Sequence, residues 1–468
     1  MSIKTASSAA HLCFLLALFV SNMSSAQVWT GIQQQAYLKA SNSGIDDSFG
    51  MSVAMSGDTL VVGAINEDGL NGAAYVFVRT AGVWSQQAYL NASNAQHGDH
   101  FGISVAISGN TVVVGAYHED SDATGVDGDE SNDDALGSGA AYVFTRTGSD
   151  WSQQAYLKAS NTQAGDSFGE SVSISGDTVV VAAMEKDDQA GAAYVFTRTD
   201  TSWSQQAYLK ASNTQAGDKF GKSVALSDDT LVVGAYFEDS SATVINGDET
   251  DDLATSAGAA YVFIRTETTW SQQAYLKASN AEAGNRFGWS AAISGESVVI
   301  GATNKGADFA GAAYVFNRSG TSWSEQAYLQ ASNAGYADFL GTSVSISGDT
   351  LVVSAYSEDS NSTGIDKDGT NNDAKDSGSA YIFTRTGTDW SQFAYLKASN
   401  TEEFDRFGWS ATISGDTAVI GAIWEDSNAK GVNGSEDNAS ARDSGAAYAF
   451  KLSAFREDLV FKDSFEDP

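Results

Sequence analysis

The sequence predicts an all-β protein: a seven-bladed β-propeller of four-stranded antiparallel blades, closed into a ring by the N-terminal strand. Three observations predict this fold. One unit of short apolar segments recurs seven times, the order of the segments is offset at the two ends of the chain, and Gly, Asp, Ser and Asn separate them. A length of 468 residues would ordinarily suggest two or three domains, but a regular repeat builds a ring of small sheets instead.

The repeat unit is clearest in its third copy. It reads Phe168-Gly169, then SVSIS, a Gly-Asp turn, TVVVAA, a variable loop, GAAYVFTRT and WSQQAYLKAS. Short apolar segments rich in Val, Ile, Tyr and Phe are typical of β-strands. A two-residue turn led by Gly, such as Gly57-Asp58, joins the first two strands as a tight hairpin. The unit is therefore predicted to be a four-stranded meander.

The two ends of the chain are offset by one strand. Trp29 opens a fourth strand before the first Phe-Gly at Phe49, and the last unit stops after its third strand at Phe450. We expect residues 29–41 to pair as the outer strand of the blade formed by residues 407–450, because ring closure leaves no blade incomplete. The alternative is an open solenoid, but a solenoid needs polar capping repeats and the sequence has none.

The repeat resembles that of a known family. Phe-Gly, two strands ending as in Val62-Gly63-Ala64, and Gly-Ala-Ala-Tyr-Val-Phe are similar to the FG-GAP repeat of integrin α-subunit propellers and their bacterial relatives. The resemblance covers residues 29–450. It implies ligand binding on the face that holds the loops between strands two and three and the connections to the next Phe-Gly. One departure is that the proline of Gly-Ala-Pro is absent, since Pro468 is the only proline.

Both ends of the chain lie outside the propeller, which we assign to residues 27–453. Residues 1–26 are typical of a secretory signal peptide, with a basic start, a short apolar run and small residues before the cut. An uncleaved anchor is the alternative. The single cysteine, Cys13, lies in this run, so the mature chain is expected to have no disulfide. Residues 454–468 are interpreted as a flexible tail, with a sorting signal as the alternative.

Charge and hydropathy limit the partners. The net charge of −34 argues against nucleic acid and anionic membrane surfaces as partners. No later segment has the length and apolarity of a membrane span. We therefore expect a secreted or cell-surface protein, monomeric, whose partner is an extracellular protein or glycan.

Comparison of the seven copies separates shared residues from variable ones. Phe-Gly and the tryptophan that opens each fourth strand recur, so we interpret them as blade packing. Trp289, Trp409 and Trp424 stand outside the repeat pattern and are the better candidates for exposed aromatic contacts.

The loop between strands two and three is short in blades one, three and five and long in the other four. In three long loops, side-chain oxygens fall at alternate positions, and the predicted ligands are Asp127, Asp129, Asp133, Asn246, Asp248, Asp252, Asp366, Asp368 and Asn372. Such oxygens suit Ca²⁺, which takes roughly six to eight of them. The resemblance does not supply these residues, because the family's calcium loop lies between strands one and two, where this chain has only a tight turn. Solvated acidic loops without an ion are the alternative.

The sequence offers little support for catalysis. His97, His100 and His118 could together hold a transition metal, but surface polar residues are the favoured interpretation. No nucleophile elbow, zinc-protease motif or phosphate-binding loop occurs. We expect a non-enzymatic binding or adhesion protein with no catalytic residues. The alternative is a secreted polysaccharide hydrolase or lyase with carboxylates at the loop face or the central channel.

Overall fold

A computed structural model describes residues 28–306 and 308–454. The predicted signal peptide, and all of the predicted tail except Ala454, lie outside the described residues. The described chain forms seven four-stranded antiparallel sheets. Among the described residues, no helix is long and apolar enough to cross a membrane.

The strands follow the repeat. The first strand, β1 (Trp29–Leu38), belongs to the last sheet. Blade one contains β2 (Phe49–Ser56), β3 (Thr59–Ala64), the helical turn α1 (Glu67–Leu70), β4 (Ala73–Thr80) and β5 (Val83–Leu90). Blade two contains β6 (Val105–Ser108), β7 (Thr111–Ala116), β8 (Ala140–Thr147) and β9 (Asp150–Leu157). Blade three contains β10 (Phe168–Ser175), β11 (Thr178–Ala183), the helical turn α2 (Lys186–Gln189), β12 (Ala192–Thr199) and β13 (Ser202–Leu209).

The second half repeats this order. Blade four contains β14 (Phe220–Ser227), β15 (Thr230–Ala235), β16 (Ala259–Thr266) and β17 (Thr269–Leu276). Blade five contains β18 (Phe287–Ser294), β19 (Ser297–Ala302), β20 (Ala312–Ser319) and β21 (Ser322–Leu329). Blade six contains β22 (Val344–Ser347), β23 (Thr350–Ala355), β24 (Ser379–Thr386) and β25 (Asp389–Leu396). Blade seven contains β26 (Phe407–Ser414), β27 (Thr417–Ala422) and β28 (Ala446–Ala454), with β1 as its fourth strand.

The N-terminal strand closes the ring, as predicted. β1 pairs antiparallel with β28, from Trp29 opposite Ala454 to Leu38 opposite Ala447. The observed strand is three residues shorter at its end than the predicted range 29–41, and β28 runs to Ala454 instead of stopping at Phe450. Closure gives the seventh sheet the same four strands as the other six.

The core lies between the blades. The first strands of neighbouring blades contact one another around a central channel, and the fourth strands lie at the rim. All six residues of each second strand are buried, for example throughout Thr178–Ala183, because both faces of the sheet pack against other blades. The phenylalanine of Phe-Gly fills this interface. Phe49 is fully buried, edge-on to Tyr75, with ring centroids 5.4 Å apart.

Glycine is required where neighbouring blades meet. Gly72, with φ of +83°, forms a parallel bridge to Phe101 of the next blade. A Cβ atom at Gly72 would lie 2.0 Å from the Phe101 carbonyl oxygen. Only glycine therefore permits this approach of the two backbones.

The strand-opening tryptophans are packing residues, as predicted. Trp84 is 3% exposed, and its Nε1 donates to Gln35 Oε1 of the preceding fourth strand at 3.0 Å. Arg79 covers its ring at 5.3 Å and donates from Nε to the turn residue Asp58 at 2.7 Å. The turns between strands one and two and the ends of the third strands therefore share one face, which we call the turn face.

Ring closure predicts that β1 contributes as much stability as an internal fourth strand. Leu38 in β1 and Leu157 in β9 occupy equivalent positions, and both are fully buried. Leu38→Ala and Leu157→Ala should each lower the free energy of unfolding by about 3 kcal/mol. Denaturant unfolding of the two variants measures this. A cost for Leu38→Ala well below that for Leu157→Ala would mean that the closing strand frays.

Candidate functional site

The candidate site is the face opposite the turn face. Successive strands alternate in direction, so the loops from strand two to strand three and the connections from strand four to the next blade emerge together. We call this surface the loop face. Blades two, four, six and seven have long loops here, and blades one, three and five have short ones.

A buried ion pair anchors each long loop to its own blade. In blade two, Glu119 follows the second strand and is 2% exposed. Its Oε2 accepts from Lys158 Nζ at 2.7 Å, and its Oε1 accepts from Tyr156 Oη at 2.7 Å and Asn94 Nδ2 at 3.0 Å. Lys158 also donates to Ser138 Oγ at 2.7 Å, at the far end of the loop. Both ends of the loop are thus fixed to one ammonium group.

The same ion pair recurs in every long-loop blade. The pairs are Lys158–Glu119, Lys277–Glu238, Lys397–Glu358 and Lys39–Glu425, at 2.7 to 2.8 Å. Burial lowers the pKa of each of these lysines, and the adjacent glutamate opposes that effect. Removing one partner of such a pair leaves a buried charge, which typically costs about 3–5 kcal/mol. The Glu-Asp-Ser motif and the lysine of Ala-Tyr-Leu-Lys are therefore parts of one structural unit.

The first predicted calcium ligand of each loop joins the loop to the outer strand. Asp127 has φ of +53°, its N–H donates to Tyr156 O at 2.8 Å, and its Oδ1 accepts from Tyr156 N at 2.9 Å. Asn246 and Asp366 make the same two hydrogen bonds to Tyr275 and Tyr395. An uncharged amide thus serves at this position as well as a carboxylate does.

The second predicted ligand of each loop closes a turn. Asp129 Oδ1 accepts from both N and Oγ of Ser131, at 3.0 and 2.6 Å. Asp248 and Asp368 bond Thr250 and Thr370 in the same way. These hydrogen bonds lower the pKa of Asp129, Asp248 and Asp368, which are exposed.

The third predicted position contacts the neighbouring connection. Asp133 Oδ1 accepts from Gln96 Nε2 at 3.0 Å, Asp252 Oδ1 accepts from Gln215 Nε2 at 3.1 Å, and Asn372 is exposed. Within 28–306 and 308–454, no three His, Cys, Asp or Glu side chains are grouped as metal ligands. The aspartates among the nine predicted ligands use only Oδ1 in these bonds, so calcium binding by the remaining oxygens stays a prediction.

An aromatic and basic cluster lies between blades six and seven, at the loop-face ends of the first strands, which we call the channel mouth. The guanidinium of Arg406 lies 3.6 Å from the ring centroid of Trp424, 5.1 Å from Tyr356 and 5.6 Å from Trp409. Its Nε is buried with no hydrogen-bond partner, and burial lowers the pKa of the guanidinium. Phe339 stacks on Tyr356 at 5.7 Å, because Leu340 takes the place of the core phenylalanine in this copy.

A similar cluster lies between blades four and five. Arg286 occupies the position equivalent to Arg406, directly before Phe-Gly, and lies 5.6 Å from the Phe237 ring centroid and 5.9 Å from Trp289. Lys222 lies 5.0 Å from the centroid of Trp289. Neither Arg286 nor Arg406 has a carboxylate within 4.0 Å among the described residues. Both residues have φ near +56°.

The three tryptophans predicted to make exposed aromatic contacts are less exposed than expected. Trp289, Trp409 and Trp424 are half-buried, and arginine covers one side of Trp424. At blade two, His100 and His118 have ring centroids 5.3 Å apart, and His97 is exposed. The three histidines are not grouped as metal ligands in the described chain. Burial and His118 lower the pKa of His100.

Buried aspartates support the connections between blades. Six of them lie two residues before the Phe-Gly phenylalanine or its equivalent, and each accepts a backbone N–H from three residues earlier. Blades one and three have Asp47 and Asp166, and the long-loop blades have Asp99, Asp218, Asp338 and Asp405. Burial raises the pKa of Asp99, Asp218 and Asp338 to about 7 and that of Asp405 to about 8. Blade five has Asn285 at this position, so an uncharged side chain fits there.

Sequence reasoning missed the buried ion pairs and the arginines at the channel mouth. The ion pairs had a signal, because each copy with a long loop combines Glu-Asp-Ser with Ala-Tyr-Leu-Lys. The arginines had only a weak signal. The residue before Phe-Gly varies from Ser to Lys, Arg, His and Phe, and nothing in the sequence shows that it faces the channel.

Comparison with known proteins identifies the repeat independently. A family model described as FG-GAP repeat matches residues 32–77, 84–144, 151–196, 203–263, 270–316, 323–383 and 390–450. Each match runs from a fourth strand to the third strand of the next blade, which is the offset that closes the ring. No curated protein matches the chain.

The buried aspartates of the long-loop blades predict that acidification from pH 8 to pH 6 stabilises the fold. Their pKa is higher in the folded chain than in the unfolded chain, so their contribution is present at low pH and is lost as the pH rises through about 7 to 8. Below about pH 6.5 the lowered pKa of His100 acts in the opposite sense. Asp405→Asn retains the side-chain hydrogen-bond acceptor but cannot titrate. It should reduce the difference in unfolding free energy between pH 6 and pH 8 by about 1–2 kcal/mol.

Thermal unfolding at pH 6, 7 and 8 measures this effect. Asp376→Asn is the matched control, since Asp376 lies at the same junction of blades six and seven, where its carbonyl oxygen accepts from Arg406 N, and is only partly buried. An unchanged pH dependence in Asp405→Asn would contradict the prediction.

Proposed function

Because the chain belongs to the FG-GAP repeat family, we propose that it is an extracellular binding or adhesion propeller that recognises a protein or glycan through its loop face without catalysis. The observation that carries this proposal is the channel mouth. Two guanidinium groups, at Arg286 and Arg406, make no side-chain hydrogen bond to the described residues and are surrounded by half-buried aromatic rings. Binding sites are commonly built in this way, with aromatic walls and a few polar groups that fix orientation.

Charge complementarity supports a selective surface. The long loops place acidic side chains around the mouth, whereas the mouth itself carries arginine and aromatic groups. A ligand that presents an isolated anionic or hydrogen-bond-accepting group on a neutral or basic body complements both zones. Strongly polyanionic partners are disfavoured by the net charge of −34.

The distribution of perturbed carboxyl groups favours binding over catalysis. A catalytic acid needs a pKa that sets it apart from its neighbours. Here the raised pKa values of Asp99, Asp218, Asp338 and Asp405 recur at equivalent positions in four blades. Repetition of one environment is typical of a structural role. The exception is Glu67 of blade one, whose pKa burial and the adjacent Asp47 raise to about 7, and this pair is the candidate acid for the hydrolase or lyase alternative.

The proposal predicts that ligand binding depends on the two mouth arginines. Arg286→Gln/Arg406→Gln should weaken binding to a ligand found by screening immobilised glycans and extracellular proteins. Loss of two charge-assisted hydrogen bonds of about 1.5–3 kcal/mol each corresponds to at least a tenfold rise in Kd. Surface plasmon resonance measures the change.

The control is a double variant on the turn face. Arg146→Gln/Arg385→Gln removes two arginines that also lie over tryptophan rings, at 5.1 and 5.2 Å. Its Kd should remain that of the wild type. Equal losses in both double variants would point to a general charge effect, and no loss in either would place the ligand elsewhere.

Calcium ordering of the long loops is the finer part of the proposal. If calcium orders these loops, titration with calcium to about 10 mM, the upper range for weak extracellular sites, should raise Tm. Magnesium at the same ionic strength should not. Asp129→Asn/Asp248→Asn/Asp368→Asn is the informative variant, because asparagine retains the Oδ1 acceptor of each turn and loses only the charge. The rise should disappear in this variant.

An equal response to both cations would reduce the effect to charge screening and would remove calcium from the long loops. The variant in chelator should unfold at the same temperature as the wild type in chelator, which separates loss of the ion from loss of the turn.

A further inference from the structure

Blade one is the one described blade that combines a short loop with a buried glutamate after its second strand. The residue three places after each second strand is Glu in the long-loop blades and Lys in blades three and five. In six blades this position therefore holds one member of a buried ion pair or a buried lysine. Blade one has Glu67 here, 7% exposed, together with a short loop, and Asn91 replaces the lysine of Ala-Tyr-Leu-Lys.

Glu67 keeps half of the long-loop arrangement. Asn42 Nδ2 donates to Glu67 Oε1, just as Asn94 Nδ2 donates to Glu119 Oε1 in blade two. In the four long-loop blades a lysine ammonium donates to the other glutamate oxygen, Oε2. In blade one the equivalent oxygen, Glu67 Oε2, is buried and has no hydrogen-bond partner.

The short-loop blades place a cation in the same region. In blade three, Lys186 Nζ lies 2.7 Å from Asn161 O and 2.9 Å from Asp166 Oδ2. In blade five, Lys305 Nζ lies 2.7 Å from the equivalent Asn280 O. The equivalents in blade one are the carbonyl oxygen of Asn42 and the carboxylate of Asp47, which is 7% exposed and adjacent to the Glu67 carboxylate.

We infer that blade one binds a calcium ion between Glu67 Oε2 and the Asp47 carboxylate, in place of the lysine ammonium of the other blades. The Asn42 carbonyl oxygen is the third ligand by equivalence with Asn161 and Asn280. Ser43 Oγ, which is also buried without a partner, lies in the same connection.

Charge selects a divalent ion. In blade three the ammonium of Lys186 neutralises one carboxylate, Asp166. In blade one two carboxylates occupy the corresponding space and no ammonium is present, so a double positive charge restores neutrality. Without a cation, burial and the Asp47 carboxylate raise the pKa of Glu67 to about 7, which reflects the cost of placing two negative charges together.

Ligand chemistry selects calcium among divalent ions. All the available donors are oxygens: carboxylate, carbonyl and hydroxyl. Calcium accepts irregular oxygen cages at roughly 2.3–2.6 Å, whereas magnesium demands a near-ideal octahedron and keeps much of its water. A buried site with irregularly placed oxygens therefore favours calcium. This site lies in blade one and is independent of the calcium prediction for the long loops.

The test compares the full chain with a variant that restores the ammonium. For the wild type, native mass spectrometry with added calcium should show one tightly held ion. Its removal by chelator should lower Tm by about 3 °C, the effect of an ion at 100-fold excess over its Kd on a domain of this size. In Glu67→Lys, the lysine should pair with Asp47 as Lys186 pairs with Asp166. This variant should bind no ion at the site, and its Tm in chelator should equal or exceed that of the wild type in chelator.

Two further variants make the test specific. Glu67→Gln retains the acceptor for Asn42 and should lose at least tenfold in calcium affinity. Asp68→Asn changes the exposed neighbouring charge and should bind calcium as the wild type does. Asp129→Asn/Asp248→Asn/Asp368→Asn should leave this ion in place.

Three results would overturn the inference: no bound calcium in the wild type, equal binding of calcium and magnesium, or calcium retained in Glu67→Lys. The first would mean that a proton shared by Glu67 and Asp47 neutralises the pair instead, the second that the site does not select calcium, and the third that the ion lies elsewhere.

Discussion

The antiparallel pairing of β1 with β28 is the constraint on which the rest of the molecule depends. A blade buries both faces of its second strand, so each blade is stable only between two neighbours. If β1 did not close blade seven, blades one and seven would each expose a core face, including Phe49 and Tyr448. Because the closing strand comes from the opposite end of the chain, the whole ring must form before any of these faces is fully covered.

A second constraint acts on the loop face, where each blade must neutralise a buried polar centre. The long-loop blades do so with a Lys–Glu pair that also fastens the loop, and blades three and five do so with a lysine bound to backbone and carboxylate oxygens. In these six blades the size of the loop and the nature of the buried charge therefore change together. When the loop is long, it covers the outer tyrosine, as at Tyr156, which is 2% exposed. When it is short, the equivalent Tyr89 is 43% exposed.

The fold could be predicted from the sequence because its signals are local and repeated seven times. Phe-Gly, the hairpin turns and the offset of Trp29 from Phe49 suffice to count blades and close the ring. The hydrogen-bond partners of the loop residues could not be predicted from oxygen spacing. Asp127 and Asn246 satisfy the spacing of calcium ligands, yet both bond the backbone of the outer strand. The exchange of a carboxylate for an amide between copies already indicated an acceptor whose charge is not essential. Arg286 and Arg406 escaped prediction because some of the rings they contact, Phe237 and Tyr356, belong to the preceding blade, and the sequence does not show how two blades face each other.

The odd number of blades explains where the ring loses its regularity. Short and long loops alternate from blade one to blade six, and a ring of seven cannot continue that alternation around its closure. Blades six and seven consequently place two long loops side by side. Arg406 lies at this junction, against Tyr356 of blade six and Trp424 of blade seven, with its Nε unpartnered. The other end of the irregularity is blade one, which has a glutamate typical of long loops on a short loop. Two unlike features thus lie next to the seam, and they make an otherwise repetitive surface asymmetric there.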